Sequence, residues 1–387
     1  MVSRREFMQA APLGALSLAG LGLPWATSHA ATAPPRSVQD MPVDKIVSLA
    51  GDNVPTKVEQ YPARIAELLK GAKDVNDFYL VEGAVGALEA QFAALLGKED
   101  AAFMPTGTMA NQIAIRLLSG DRSRVLLQKE SHVYRDEADA VAIMNAINPV
   151  PVDGGASEAL YDGMAAAFAQ SGEKPYPVDV GAVSIESPVR RLEGATVPLD
   201  TITKIAALAK EKGARMHLDG ARLLLMYGSD GFDVQRYCAP FDSVYVSLYK
   251  YLGAPFGAVL AGDKAYVARA RQARHVFGGT IFHGWTSALI ASKTLAGFDQ
   301  RFARVRAEAE KLLGMLAAIP GITVERVPNG SNIAFLTLDD RVAKDLASRT
   351  EKANIVIGHV NEGRLRLTFN ETLLRKPVSS IAAAFAP

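Results

Sequence analysis

Cysteine is nearly absent: Cys238 is alone in 387 residues. A single thiol excludes an internal disulfide and any zinc site built on several cysteines, and it reads as a small buried apolar side chain. An excess of either charge is also missing, since the formal net charge is +1 with 21% charged residues. That balance gives no electrostatic footprint for nucleic acid or an anionic membrane surface as partner. No run approaches the about 20 strongly apolar residues that a spanning helix needs. The uncharged stretch 10–26 is short and rich in Gly and Ala. No internal repeat, charge block or low-complexity tract interrupts the chain. What remains is a sequence with 49% hydrophobic residues, enough for a large core and two domains.

Two stretches carry the chemistry. In residues 243–250, SVYVSLYK, an alternating strand delivers Lys250 into a turn rich in Gly and Pro, and a second apolar strand, 258–261, leaves it. Burial at such a strand end lowers a lysine's pKa and makes the neutral amine available for Schiff-base chemistry. A strand at 214–218 ends on Asp219 followed by glycine, and an acid at a strand's carboxyl end in an α/β sheet points into the crevice where ligands sit. Thr106, Gly107 and Thr108 open an apolar-periodic helix, 109–118. Their backbone N–H groups, two hydroxyls and the positive dipole end suit a phosphate, and a plain N-cap by Thr108 is compatible with that. His132 follows the strand 125–127, on the side where Lys250 and Asp219 gather.

Helical periodicity at 61–69, 84–96 and 201–212, alternating with strands, predicts a mostly parallel sheet with helix crossovers. A long helical stretch, 287–317, links it to a small α+β unit with strands at 322–326 and 332–338. In Arg364-Leu-Arg366-Leu, alternation sets both arginines on one face.

Taken together, HLDGAR at 217–222 and SLYKYLGAP at 247–255 resemble the threonine aldolase and β-eliminating lyase family, pyridoxal-phosphate enzymes of the aspartate aminotransferase fold type I. The resemblance runs from about residue 46 to 370. It implies an α/β fold: a large, mostly parallel α/β/α cofactor domain, residues 46–295, and a smaller C-terminal α+β domain, residues 296–387. It implies that Lys250 bonds pyridoxal 5'-phosphate, that Asp219 keeps the ring nitrogen protonated, and that Thr106, Gly107 and Thr108 hold the phosphate. His132 would stack on the ring and carry a proton, Arg222 would reach the phenolic oxygen or Asp219, and Arg366 would fork onto the substrate carboxylate. Asp52, the acid kept from the family's opening motif, and Tyr79, from a segment lying over the cofactor often of the neighbouring subunit, would complete the amino-acid site. No metal is called for. Family sites form at dimer interfaces, so a homodimer or homotetramer is implied.

The substrate-handling motifs depart from the family. Ala50 and Gly51 replace an Arg-Ser pair, Val189 with Arg190 and Arg191 stands where a second histidine belongs, Phe282 and His283 replace Arg-Gln, and Asn370 replaces histidine. The resemblance implies retro-aldol cleavage of a β-hydroxy-α-amino acid, the hydroxyl proton passing to His132, His283 or water. Other reactions on the same cofactor (β- or γ-elimination, decarboxylation, racemisation) and a catalytically silent exported relative that binds an amino acid are the alternatives.

Residues 1–30 read as a leader to be removed. Arg4-Arg5 with Phe7 resembles a twin-arginine export signal, the run 10–26 follows, and Ser28-His-Ala-Ala31 is a small-x-small cleavage pattern. Residues 31–45, with Pro34, Pro35 and Pro42, read as a flexible leader. The expectation is a periplasmic or exported protein with no stable membrane anchor after cleavage, folded around its cofactor in the cytoplasm first.

Overall fold

The computed structural model describes residues 43–387. The expected signal peptide, and the leader up to residue 42, lie outside the described residues. The strands are β1 Val47–Ser48, β2 Asp100–Met104, β3 Arg124–Gln128, β4 Asn148–Val152, β5 Val180–Glu186, β6 Arg215–Asp219, β7 Ser243–Ser247, β8 Ala258–Gly262, β9 Ile322–Arg326, β10 Ile333–Leu338, β11 Ile355–Val356, β12 Val360–Asn361 and β13 Arg364–Thr368.

Seven of them form the central sheet in the order β2-β8-β7-β6-β5-β3-β4. The pairs β3–β4, β3–β5, β5–β6 and β6–β7 are parallel, and β8 runs antiparallel to both β2 and β7. All residues of β5, β7 and β8 are buried, as a sheet covered on both faces requires. Because successive side chains point to opposite faces, Ala101 and Phe103 enter one core while Ala102 and Met104 enter the other. Helix α1 (Gly83–Leu96) packs on the first face with Leu88 and Phe92. Helix α2 (Gly107–Ser119) packs on the second with Ala110, Ile113 and Ala114. Helices α3 (Leu199–Glu211) and α4 (Lys264–Val276) complete the two layers.

The C-terminal unit is an antiparallel sheet, β12-β13-β10-β9. The long helix read across 287–317 is two, α5 (Trp285–Leu295) and α6 (Phe298–Ala317). Gly297 between them has φ +66°, a left-handed conformation that glycine takes at no steric cost. The first strand does not join the large sheet: β1 pairs in parallel with β11 of the C-terminal unit. Ser48 and Gly51 are tied there as well, their carbonyls accepting Asn370 Nδ2 at 3.0 and 2.7 Å.

Candidate active site

Parallel strands bring their carboxyl ends to one edge, so the groups that follow β5, β6 and β7 meet there. Glu186 and Asp219 close β5 and β6 opposite one another. Lys250 lies in the turn after β7, which closes through Gly253 at φ +69° and Gly257 at φ +106°. Burial, then the Arg222 charge, lowers the Lys250 pKa from 10.5 to about 8, against Asp219, Glu186 and Asp52. The amine therefore sits within the field of Asp219, Glu186 and Asp52.

Asp219 is fixed rather than free. Asn111 Nδ2 donates to its Oδ2 at 2.9 Å and the Ala221 N–H to its Oδ1 at 3.1 Å. Asn111 Oδ1 lies 3.0 Å from His217 Nε2, and His217 Nδ1 lies 2.8 Å from Ser243 Oγ. Complete burial lowers the His217 pKa to about 4, so this imidazole is neutral, and its hydrogen sits on Nε2, where the Asn111 oxygen can take it.

The same Asn111 amide donates to Glu137 Oε1 at 2.9 Å, and Gln112 Nε2 donates to Glu137 Oε2 at 2.7 Å. Glu137 in turn contacts His132 Nδ1 at 3.1 Å. The His132 backbone N–H and the Arg190 N–H donate to the two Glu186 oxygens at 2.6 and 2.8 Å. Burial and the nearby Asp219 charge still raise the Glu186 pKa. The sequence reading did not include Asn111, Gln112, Glu137 or Glu186 among the site residues. The available signal was a pair of adjacent amides, Asn111-Gln112, set between the apolar residues Ala110 and Ile113 of a buried helix face, because buried amides demand partners.

Thr106 caps α2 by accepting from the Met109 N–H at 3.1 Å. The cap is Thr106 and not the Thr108 of the sequence reading. A side chain at Gly107 would place its Cβ 2.0 Å from Tyr245 Oη, so only glycine lets the helix start approach this buried tyrosine. Ser247 is fully buried, with its hydroxyl beside that of Tyr245. An amine of lowered pKa, a fixed carboxylate and a buried hydroxyl next to a glycine-opened helix N-terminus fit a phosphorylated aldehyde with a ring nitrogen.

The other expected residues are engaged with partners. Arg222 Nε donates to Asp52 Oδ2 at 2.8 Å, and Asn332 Nδ2 donates to Asp52 Oδ1 at 2.9 Å. Arg366 is half-exposed and meets Glu193 at 3.2 Å, while Arg364 pairs with Glu325 and stacks on Phe335. Tyr79 belongs to an exposed edge-to-face cluster with Phe78 and Phe282, centroids 4.8 to 5.3 Å apart. His283 lies against Phe282, centroids 4.1 Å apart and ring planes tilted by 60°, and bonds the Asp77 carbonyl at 2.6 Å. Val189 is fully buried and paired with Ala195, and Arg191 forks onto Asp136 at 2.6 and 3.1 Å. A cleft of about 440 Å³ beside α6 shares Asn332 but contains none of Lys250, Asp219 or His132.

The beta-eliminating lyase profile matches residues 49–339. A low specificity L-threonine aldolase of Escherichia coli O157:H7 is 26% identical over 83% of this chain and 94% of its own length. One of Saccharomyces cerevisiae is 31% identical over 65% of this chain and 68% of its own. A solved structure from Listeria monocytogenes, provisionally assigned as an L-allo-threonine aldolase, superposes with a TM-score of 0.72 at 25% identity, covering 89% of this chain and 96% of that one.

Proposed function

The chain belongs to the beta-eliminating lyase family, and from that premise we propose that it is a pyridoxal-phosphate-dependent lyase that cleaves the Cα–Cβ bond of a β-hydroxy-α-amino acid, releasing glycine and an aldehyde. Pyridoxal phosphate, when bound, supplies an aldehyde that bonds an amine and a ring that accepts the electron pair freed at Cα.

Lys250 Nζ would hold that aldehyde, Asp219 the ring nitrogen, and Thr106, Gly107, Thr108 and Ser247 the phosphate. His132 would lie against the ring and Arg222 at its phenolic edge. Asp219, an acceptor held by two N–H donors, keeps a proton on the group it faces. Arg366 is the guanidinium for the substrate carboxylate, and its Glu193 partner must yield to that carboxylate. His132 Nε2 receives the β-hydroxyl proton as Cα–Cβ breaks, because its Nδ1 is committed to Glu137. Val189 carries no proton, so one imidazole does the work that the family divides between two.

The observation that carries this reading is the convergence of a Lys250 amine with pKa near 8 and the fixed Asp219 at the same sheet edge. The test is acetaldehyde release from L-threonine and L-allo-threonine by cofactor-loaded protein, and no turnover of either would sink it. The buried Val189 also favours a second reading, a reaction at Cα alone such as racemisation, which needs no hydroxyl base. Loss of optical rotation from L-alanine without aldehyde release would select it.

Two further parts of the proposal are assembly and export. The exposed Phe78, Tyr79, Val81 and Phe282 support a homo-oligomer in which this patch meets a second copy. The Arg4-Arg5 and Phe7 pattern supports export of the folded chain. Retention in the cytoplasm with Arg4 and Arg5 intact would remove the export reading.

A further inference from the structure

Both Glu137 oxygens already accept amide N–H bonds, from Asn111 at 2.9 Å and Gln112 at 2.7 Å. The third contact, to His132 Nδ1 at 3.1 Å, therefore needs its hydrogen on Nδ1. The carboxylate side chain is fully shielded from solvent and the imidazole is about one quarter exposed, so the pair has an inner and an outer end. We propose that Glu137 is a positioning residue: it holds the His132 imidazole with Nδ1–H turned inward, leaves Nε2 to exchange the substrate's hydroxyl proton, and stabilises the imidazolium that results.

The geometry is that of a base oriented by a third group, in which the buried acid fixes tautomer and orientation without itself taking the proton. The proton moves from the substrate oxygen to Nε2, and the Nδ1 hydrogen stays in place. Glu137 is in turn anchored by the amide that anchors Asp219, since Asn111 donates to both carboxylates. One side chain thereby sets the relative placement of the two groups that would lie on and beside the cofactor ring.

Electrostatics agree. Burial lowers the His132 pKa, as does Lys250, but the Glu137 bond and the charges of Asp219 and Glu137 outweigh both and leave it raised above 6.5. Asp136 on the same segment and Glu186, which holds the His132 backbone N–H, also face it.

The tautomer and orientation of His132 rest on geometry alone, whereas the hydroxyl-proton exchange and the kinetic arm rest on the retro-aldol reading. The deciding experiment is nitrogen-15 NMR of histidine side chains in the full chain, with and without pyridoxal phosphate, the His132 signal being assigned by its loss in His132→Gln. The expected result is a neutral form protonated at Nδ1, an apparent pKa above 6.5, and in Glu137→Gln a tenfold or greater loss of proton affinity. A neutral form protonated at Nε2, or no change in Glu137→Gln, overturns the proposal. Where Glu137→Gln does not fold, the tautomer in the unaltered chain decides alone. In kinetics, the acid limb of kcat/KM should move down in pH by the same factor, whereas a merely structural loss would lower activity at every pH. An inactive enzyme with the expected tautomer would sink the retro-aldol reading and leave Glu137 in its role.

Discussion

Replacing Arg222 by Gln should raise the pKa of Lys250. Burial and the guanidinium lower the amine against the pull of Asp219, Glu186 and Asp52, and the net change from 10.5 to about 8 is about 3.4 kcal/mol of preference for the neutral form. At pH 7 roughly one amine in ten is then neutral, against about one in three thousand for an ordinary lysine. A charge at this range in a partly screened site contributes on the order of 1–2 kcal/mol, or about one pKa unit. Its removal also frees the Asp52 carboxylate, which acts on Lys250 in the same direction. Neutral amine at pH 7 falls to about one in a hundred. The assay is the rate of pyridoxal phosphate capture by stripped protein, followed by absorbance from pH 6 to 10. The unaltered chain should show a midpoint near pH 8, and Arg222→Gln about one unit higher, with the rates converging at the alkaline end. Reading the midpoint rather than the amplitude separates this effect from weaker cofactor affinity. The same midpoint in both proteins, or a rate in the unaltered chain that still rises with no midpoint by pH 10, would refute the reasoning.

Three further outcomes are expected. Glu193→Gln should lower KM for the amino acid with kcat little changed, and Arg366→Gln should raise it about tenfold or more, since one frees and the other removes the carboxylate fork; steady-state kinetics checks both. His217 has a folded pKa lowered to about 4 against an unfolded value near 6.5. The unfolded chain therefore binds more protons in that window, and as pH falls from 6.5 to 4 stability should drop by about 3 kcal/mol from this group alone, measured by urea unfolding against His217→Gln. Phe282→Ser combined with Tyr79→Ser should halve the mass seen by light scattering if their exposed cluster joins two copies.

Much of the site was legible because its residues close strands. An alternating run ending in Lys250 and another ending in Asp219 announce a sheet edge, and parallel pairing brings both to it. The charge network behind them was not legible. Glu137 reads along the chain as one acid in a polar segment, and nothing local says that Asn111 and Gln112, a helix away, turn toward it. Ser247 was invisible for the opposite reason, a small hydroxyl in an apolar strand whose place beside Tyr245 appears only once its neighbours are packed. The helix 287–317 was overextended because Gly297 is tolerated within a helix but here adopts the left-handed conformation that splits it. Strand β1 precedes the large domain in sequence, and only the packing of Asn370 and β11 draws it to the other unit.

The covalent claim at Lys250 is tested most directly by borohydride reduction of the cofactor-loaded chain followed by peptide mass analysis. The account predicts a phosphopyridoxyl group on Lys250 and none anywhere in Lys250→Ala. A label on a different lysine, or an unlabelled Lys250 peptide from fully loaded protein, would contradict it.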